Sequence, residues 1–235
     1  MSRLCALLAL LAGTIVVPAL AQDSGDISSL SISRCAGRAG IDTRQADAAF
    51  GFIAVDGVPW VTIERTEELV GSQAISTTIT GTGARRRRDG RSVPFRFVCV
   101  LNNRGEALMF HTSHVNPELK DELPPSVLVS GSATYAEKMA APKGLELRVQ
   151  LLDVAKSPAE ILSEQVVRTG WQVPIPFALR LPKDTGLDGR TLAIAARMVV
   201  GRQTLFELKA PQAVTSGDIA RPIDLVLAKA GTAKR

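Results

Sequence analysis

The chain has 235 residues, a formal net charge of +5 at pH 7, 46% hydrophobic side chains and only 4% aromatic ones. So few aromatics in a chain that begins like an exported protein exclude nucleic acid as a partner. The apolar run near the N-terminus is too short to span a bilayer as a helix and is interrupted by Pro18, and no later segment looks membrane-spanning.

The N-terminus carries Arg3, an apolar run from Leu4 to Val17, and then Pro18-Ala-Leu-Ala21. A cation, a short apolar core and an Ala-x-Ala ending describe a secretory signal peptide, residues 1–21, cleaved after Ala21. No cysteine stands at that point and Cys5 lies too early, so the expected product is periplasmic and not lipidated. At about 214 residues it has room for two modest domains. Residues 22–125 carry 12 basic and 13 acidic side chains, whereas residues 126–235 carry 15 and 10, so the second half holds the positive excess. Cys35 and Cys99 are the cysteines left after cleavage. In an oxidising compartment such a pair is expected as a disulfide, and no Cys-x-x-Cys spacing supports redox work.

In residues 22–125 the expected product is a small disulfide-stapled α+β domain. Gln22 to Ser29 reads as a polar leader, and Ser31 or Ser33 as the cap of a short helix through Cys35 and Ala36, ended by Gly37 or Gly40. Strand-like runs follow at Ala49–Val55 and Pro59–Arg65, with Asp56-Gly57 between them as a hairpin turn. Further runs are Ala74–Thr82, Val93–Leu101 and, after a turn at Asn102-Asn-Arg-Gly105, Glu106–His111. Arg85, Arg86, Arg87 and Arg88 read as a solvated hairpin tip before Asp89-Gly90, with weak contact to an anionic membrane surface as the functional alternative. His111 and His114 are the two histidines. Three apart on an extended segment they diverge, so no metal site and no cofactor is expected there. Glu118 to Pro125 reads as a linker.

Residues 126–229 show a cleaner strand pattern. Val127–Tyr135 opens it, and Leu145, Leu147, Val149 and Leu151 alternate with Glu146, Arg148 and Gln150 as in a half-buried strand. Ile161–Arg168 follows. The stretch from Trp171 to Pro182 then alternates Val173, Ile175, Phe177, Leu179 and Leu181 with Pro174, Pro176, Ala178 and Arg180. Its two prolines remove ladder donors from one side, which places the strand at a sheet edge, with Phe177 facing the core. Thr191–Val200, a turn at Gly201-Arg202, Thr204–Lys209 and Ile223–Leu227 complete seven short strands, and residues 230–235 form a flexible tail. The expectation is a mainly β chain whose C-terminal part is a seven-stranded Ig-like β-sandwich.

Four blocks in that half carry a family resemblance: Val129-Ser-Gly-Ser-Ala-Thr-Tyr135, Leu145-Glu-Leu-Arg-Val-Gln-Leu-Leu-Asp-Val154, Gln172-Val-Pro-Ile-Pro-Phe177 and Ala193–Arg202. Together they resemble the YbaY-like domain of bacterial envelope lipoproteins, a family related to the YscW-type pilotins of type III secretion. The resemblance implies a sandwich domain outside the cytoplasm with no catalytic residues. This chain differs in lacking the lipid-bearing cysteine, and in carrying Glu207-Leu-Lys-Ala-Pro211 where the family has an Asp/Thr- and Tyr-containing segment.

No Gly-x-Ser-x-Gly, His-Glu-x-x-His, phosphate-binding glycine loop or dinucleotide fingerprint occurs. The expected function is therefore non-enzymatic: an envelope interaction or secretion-assistance module that binds a protein partner through a β-surface. The alternatives are an envelope hydrolase or ligand-binding enzyme using His111 or His114 with a carboxylate such as Asp121, and an anionic-surface binder using Arg85–Arg88.

Overall fold

Residues 24–46, 50–87, 90–119, 121–137, 139–169 and 173–231 are described by the computed structural model. Residues 1–21, expected as a signal peptide, Arg88, Trp171 and the last four residues of the chain lie outside them. A helix, α1 (Ser24–Ala46), leads into β1 (Phe50–Asp56), β2 (Val61–Val70), β3 (Gln73–Arg87), β4 (Ser92–Leu101) and β5 (Ala107–His114). A single 3-10 turn at Pro117–Leu119 starts the connection to β6 (Ser126–Tyr135), β7 (Glu146–Asp153), β8 (Glu160–Thr169) and β9 (Ile175–Pro182). The chain ends with β10 (Leu192–Val200), β11 (Gln203–Glu207), β12 (Gln212–Ala213), a four-residue helix α2 (Ser216–Ile219) and β13 (Ile223–Lys229).

The strands hydrogen-bond in the order β5-β4-β3-β1-β8-β7-β10-β11-β13-β6-β9, with β2 attached to β3 and β12 to β10. The mainly β expectation is thus met by an open, mixed sheet, in which β13 and β6 run parallel. β1 pairs with β8 from Phe52↔Thr169 to Asp56↔Gln165, so strands from residues 22–125 and from residues 126–229 share one sheet. Two apolar clusters fill it. In one, β6, β9 and β13 contribute Val129, Phe177 and Leu225 to the same core as Leu147, Val167 and Ile194 of β7, β8 and β10. In the other, Ile32, Cys35 and Ala39 of α1 pack on Ile53, Ile79 and Phe95. The disulfide expected between Cys35 and Cys99 ties that helix to β4, with Cα atoms 5.9 Å apart.

Helix α1 departs from the sequence reading. Gly37 and Gly40 sit inside it rather than ending it, because Arg168 lies against them: a Cβ on Gly37 would come within 2.5 Å of the guanidinium. The supposed leader also ends in the helix. Ser29 is buried and donates to Glu164 Oε1 at 2.7 Å, and Ser33 donates to Glu146 Oε1 at 2.6 Å. Those bonds explain a second difference. β7 is buried on both faces, since Glu146 and Arg148 pair with each other at 2.7 Å beneath α1 instead of meeting water. A buried charge pair persists when its remaining polar atoms find partners: here Ser33 donates to Glu146 and accepts from Arg148, and Arg168 adds a second cation 3.4 Å from Glu146.

Asp56-Gly57 does not close a hairpin. β1 pairs with β3 and β8, while β2 pairs with the earlier half of the long strand β3. Asp56 instead turns inward, and the Gly57 N–H donates to Glu164 O at 2.7 Å.

β9 does terminate the sheet, laddered to β6 alone from Ser126↔Pro182 to Ala133↔Ile175. Its proline side is not open, however. The Gln165 side-chain amide acts as a substitute strand, accepting from the Ala178 N–H at 3.0 Å and donating to Ala178 O at 2.9 Å. Ser163 Oγ and Trp60 Nε1 both donate to Arg180 O, at 2.8 and 2.6 Å. Gly131 of β6 faces Phe177 in this ladder, and a Cβ there would run into Ile223 O and the phenyl ring. Gly131→Ala is expected to cost about 1–3 kcal/mol through overpacking. An unchanged urea midpoint would show that β13 and β6 can spread without penalty.

Candidate functional site

The face of β2–β5 away from α1 carries an open groove. Thr62, Thr80 and Thr82 alternate outward along β2 and β3, while Val98, His111 and Ser113 continue the row on β4 and β5. Period-two alternation is what sends Ile79 and Cys99 to the helix and these neighbours outward. The result is the floor of a groove of about 730 Å³. One wall is Trp60 with Pro59, and the other is the connection 122–125. Arg96 holds that connection in place: its Nη1 donates to Asp121 Oδ1 at 2.5 Å and its Nη2 to Glu122 O at 2.9 Å.

Trp60 is fixed from below. The Arg180 guanidinium stacks on its ring, with Cζ 4.3 Å from the centroid. Arg180 also donates to Thr82 Oγ1 at 3.0 Å, Ser126 Oγ at 3.2 Å and Pro124 O at 3.0 Å. Beneath it Asp56 accepts from Thr82 Oγ1 at 2.7 Å and Gln165 Nε2 at 3.0 Å, and pairs with Arg180 at 3.4 Å. Burial pushes the Asp56 carboxyl above its ordinary range, and bonds from Thr82, Gln165 and Arg180 only partly oppose it. Glu164 is raised in the same way, burial outweighing its bonds from Ser29 and Gln150. This polar joint links β1, β3, β8 and β9 to the base of the groove.

The residues singled out from the sequence fall apart in space. His111 lies in the groove opposite Val98, whereas His114 lies opposite Phe95 on the other face, with Nδ1 3.1 Å from Arg85 Nη2. Asp121, the carboxylate considered as a partner, is taken by Arg96. Among the described residues no three His, Cys, Asp or Glu side chains gather where they could hold a metal. Arg85, Arg86 and Arg87 belong to β3 and not to a loop tip, paired with β1 at Ile53, Phe52 and Phe50. They alternate faces: Arg85 lies over the Phe95 ring at 5.6 Å and Arg86 over the Phe52 ring at 5.7 Å. They therefore do not form one flat cationic patch. Trp60 and Arg180, at the centre of the joint, were not candidate site residues in the sequence, Arg180 entering only as an alternate position of its strand. Their signal is faint: one of two tryptophans, and a cation on an otherwise small and apolar strand face.

The second half also has exposed apolar positions. Leu128 on β6 is 54% exposed and Val226 on β13 is 61% exposed. β6 and β13 are neighbours, so both belong to the same limb of the sheet.

Residues 124–227 match a protein family. It is described as the type III secretion system lipoprotein chaperone (YscW) family, and the match runs from the groove wall at Pro124 into β13. Among solved structures, the chain resembles an alternative pilotin from the type II secretion system of Vibrio cholerae. That similarity has 22% identity and a TM-score of 0.41, covering 46% of this chain and 99% of the other. No curated protein matches the chain.

Proposed function

We propose that this chain is a non-enzymatic accessory protein of the cell envelope that assists secretion by binding a protein of the secretion apparatus through a β-surface. Residues 126–229 serve as an Ig-like, YbaY-like binding module, and the exported protein works in the periplasm without a lipid anchor. The observation that carries this proposal is the match of residues 124–227 to a secretion-system lipoprotein chaperone. Leu128 and Val226 support it, because apolar side chains exposed on neighbouring strands are suited to burial against a partner.

Photo-crosslinking amino acids at Leu128 and Val226, in cells making the protein at its natural level, test this directly. The expected adduct contains a component of an envelope secretion apparatus, absent when the crosslinker replaces Leu69 on the distant β2–β3 hairpin. Adducts of equal yield at all three positions, or none with such a component, would defeat the proposal.

The non-enzymatic part has its own test. His111→Ala combined with His114→Ala is expected to change folding stability by no more than about 0.5 kcal/mol, the range of surface substitutions. It should also leave secretion unaltered. A stoichiometric metal in the purified protein, lost together with function in the double variant, would favour the hydrolase alternative instead.

A further inference from the structure

A second cleft, of about 230 Å³, lies beside α1. It is lined by Ser31 and Arg34 of the helix, Arg65 of β2, Ser76 and Thr77 of β3, and Arg104 of the β4–β5 turn. We propose that this cleft is a binding site for a phosphate group. Three arginines line it from three separate elements, and the Arg34 guanidinium is held in place. Arg34 Nη1 donates to Arg104 O at 3.0 Å and to Gly105 O at 2.5 Å. The turn itself is fixed by Asn102, whose side-chain oxygen accepts the N–H groups of Arg104 and Glu106 at 3.0 and 2.8 Å. Gly105 has φ +69°, and the Arg34 guanidinium stands where a Cβ would be. Cys35, next to Arg34, is bonded to Cys99, three residues before Asn102, so the disulfide sets helix and turn at a constant separation.

The charge around the cleft is unbalanced. Arg104 contacts Glu106 at 3.3 Å, a carboxylate that also accepts from Asn102 Nδ2 at 2.7 Å. Arg34 spends its Nη1 protons on carbonyls, and Arg65 has no ion pair among the described residues. Glu106, on which Arg34 also acts, offsets one of the three cations and leaves a positive excess that a bound anion would neutralise. A planar carboxylate offers two oxygens, whereas a phosphate offers a tetrahedral set that can meet forks from three directions. The hydroxyls of Ser31 and Thr77 add neutral hydrogen-bonding groups to the same lining, while the Ser76 hydroxyl is committed to Asn102 O at 2.6 Å and fixes the turn from the other side.

Calorimetric titration of the oxidised protein at low salt, with inorganic phosphate and with glycerol 1-phosphate, tests the site. Sedimentation with phosphatidylcholine vesicles, with or without phosphatidic acid, provides the lipid arm. Saturable binding is expected, weakened about tenfold or more by Arg65→Gln and by Arg104→Gln and unchanged by Arg202→Gln on the β10–β11 turn. Arg65 and Arg104 are both exposed, and unchanged thermal midpoints would show that the variants fold. Binding only to phosphatidic acid vesicles assigns the phosphate to a lipid headgroup, and binding only to the free compounds assigns it to a soluble ester. No binding in either arm, or binding that survives both substitutions, overturns the proposal.

Discussion

Replacing Cys35 and Cys99 together by alanine is expected to lower the folding free energy by about 4 kcal/mol, the chain entropy released when a loop of this length is no longer closed. The bond spans 64 positions and joins α1 to β4, the strand next to β3 and β5. Both side chains are fully buried, so alanine also leaves unfilled space between Ile32, Ile79 and Phe97. The change should be visible as a lower urea midpoint relative to the oxidised parent. Reducing the parent should bring its midpoint close to that of the double variant. If the double variant stayed within about 1 kcal/mol of the oxidised parent, packing of α1 alone would hold the helix and the loop-entropy account would fail.

What could be read from the sequence was whatever depends on near neighbours. The alternation Leu145, Leu147, Val149, Leu151 marks the core face of β7 because strand periodicity is local. Pro176 marks an edge because a missing N–H cannot serve a second ladder, and β9 is indeed terminal. The cysteine pair was legible from its number and setting. The readings that failed all involve partners far away in sequence. Ser29 and Ser33 looked like a leader and a cap because Glu164 and Glu146, which they bond, lie more than a hundred residues later. Gly37 and Gly40 looked like stops because nothing nearby announces the Arg168 side chain that passes over them. Asp56-Gly57 has the composition of a hairpin turn, yet its carboxylate is used by Thr82, Gln165 and Arg180. The same limit hid the groove. Its floor alternates as any exposed strand face does, and the face becomes a concavity through Trp60, stacked on Arg180, on one side and the clamp from Arg96 to the 121–122 connection on the other.

Arg180→Met is expected to destabilise the protein by about 3–5 kcal/mol at pH values where Asp56 is ionised, the cost of leaving a buried charge without its partner. Both groups lie inside, with side-chain exposures of 11% for Arg180 and 4% for Asp56. Methionine keeps most of the volume beside Trp60 but removes the stacking cation and the bonds to Thr82, Ser126 and Pro124. The effect should depend on pH in a definite direction. Asp56 already holds its proton more tightly when folded than when unfolded, because burial dominates its surroundings. For a carboxyl raised in this way, stability increases as pH falls through the folded pKa, and is lost as pH rises through it. Removing Arg180 takes away one of the interactions that favour the carboxylate, so the folded pKa rises further. The stability gap between parent and variant should therefore be widest where Asp56 is ionised in both proteins. It should narrow as acid protonates Asp56, leaving the part due to lost packing and neutral hydrogen bonds. Urea unfolding of both proteins at a series of pH values measures the gap. A gap that stayed constant, or widened toward acid, would show that Arg180 acts through stacking on Trp60 and not through the buried carboxylate. Adding Asp56→Asn to Arg180→Met should recover part of the loss wherever Asp56 would be ionised, because the amide keeps an acceptor for Thr82 and carries no charge.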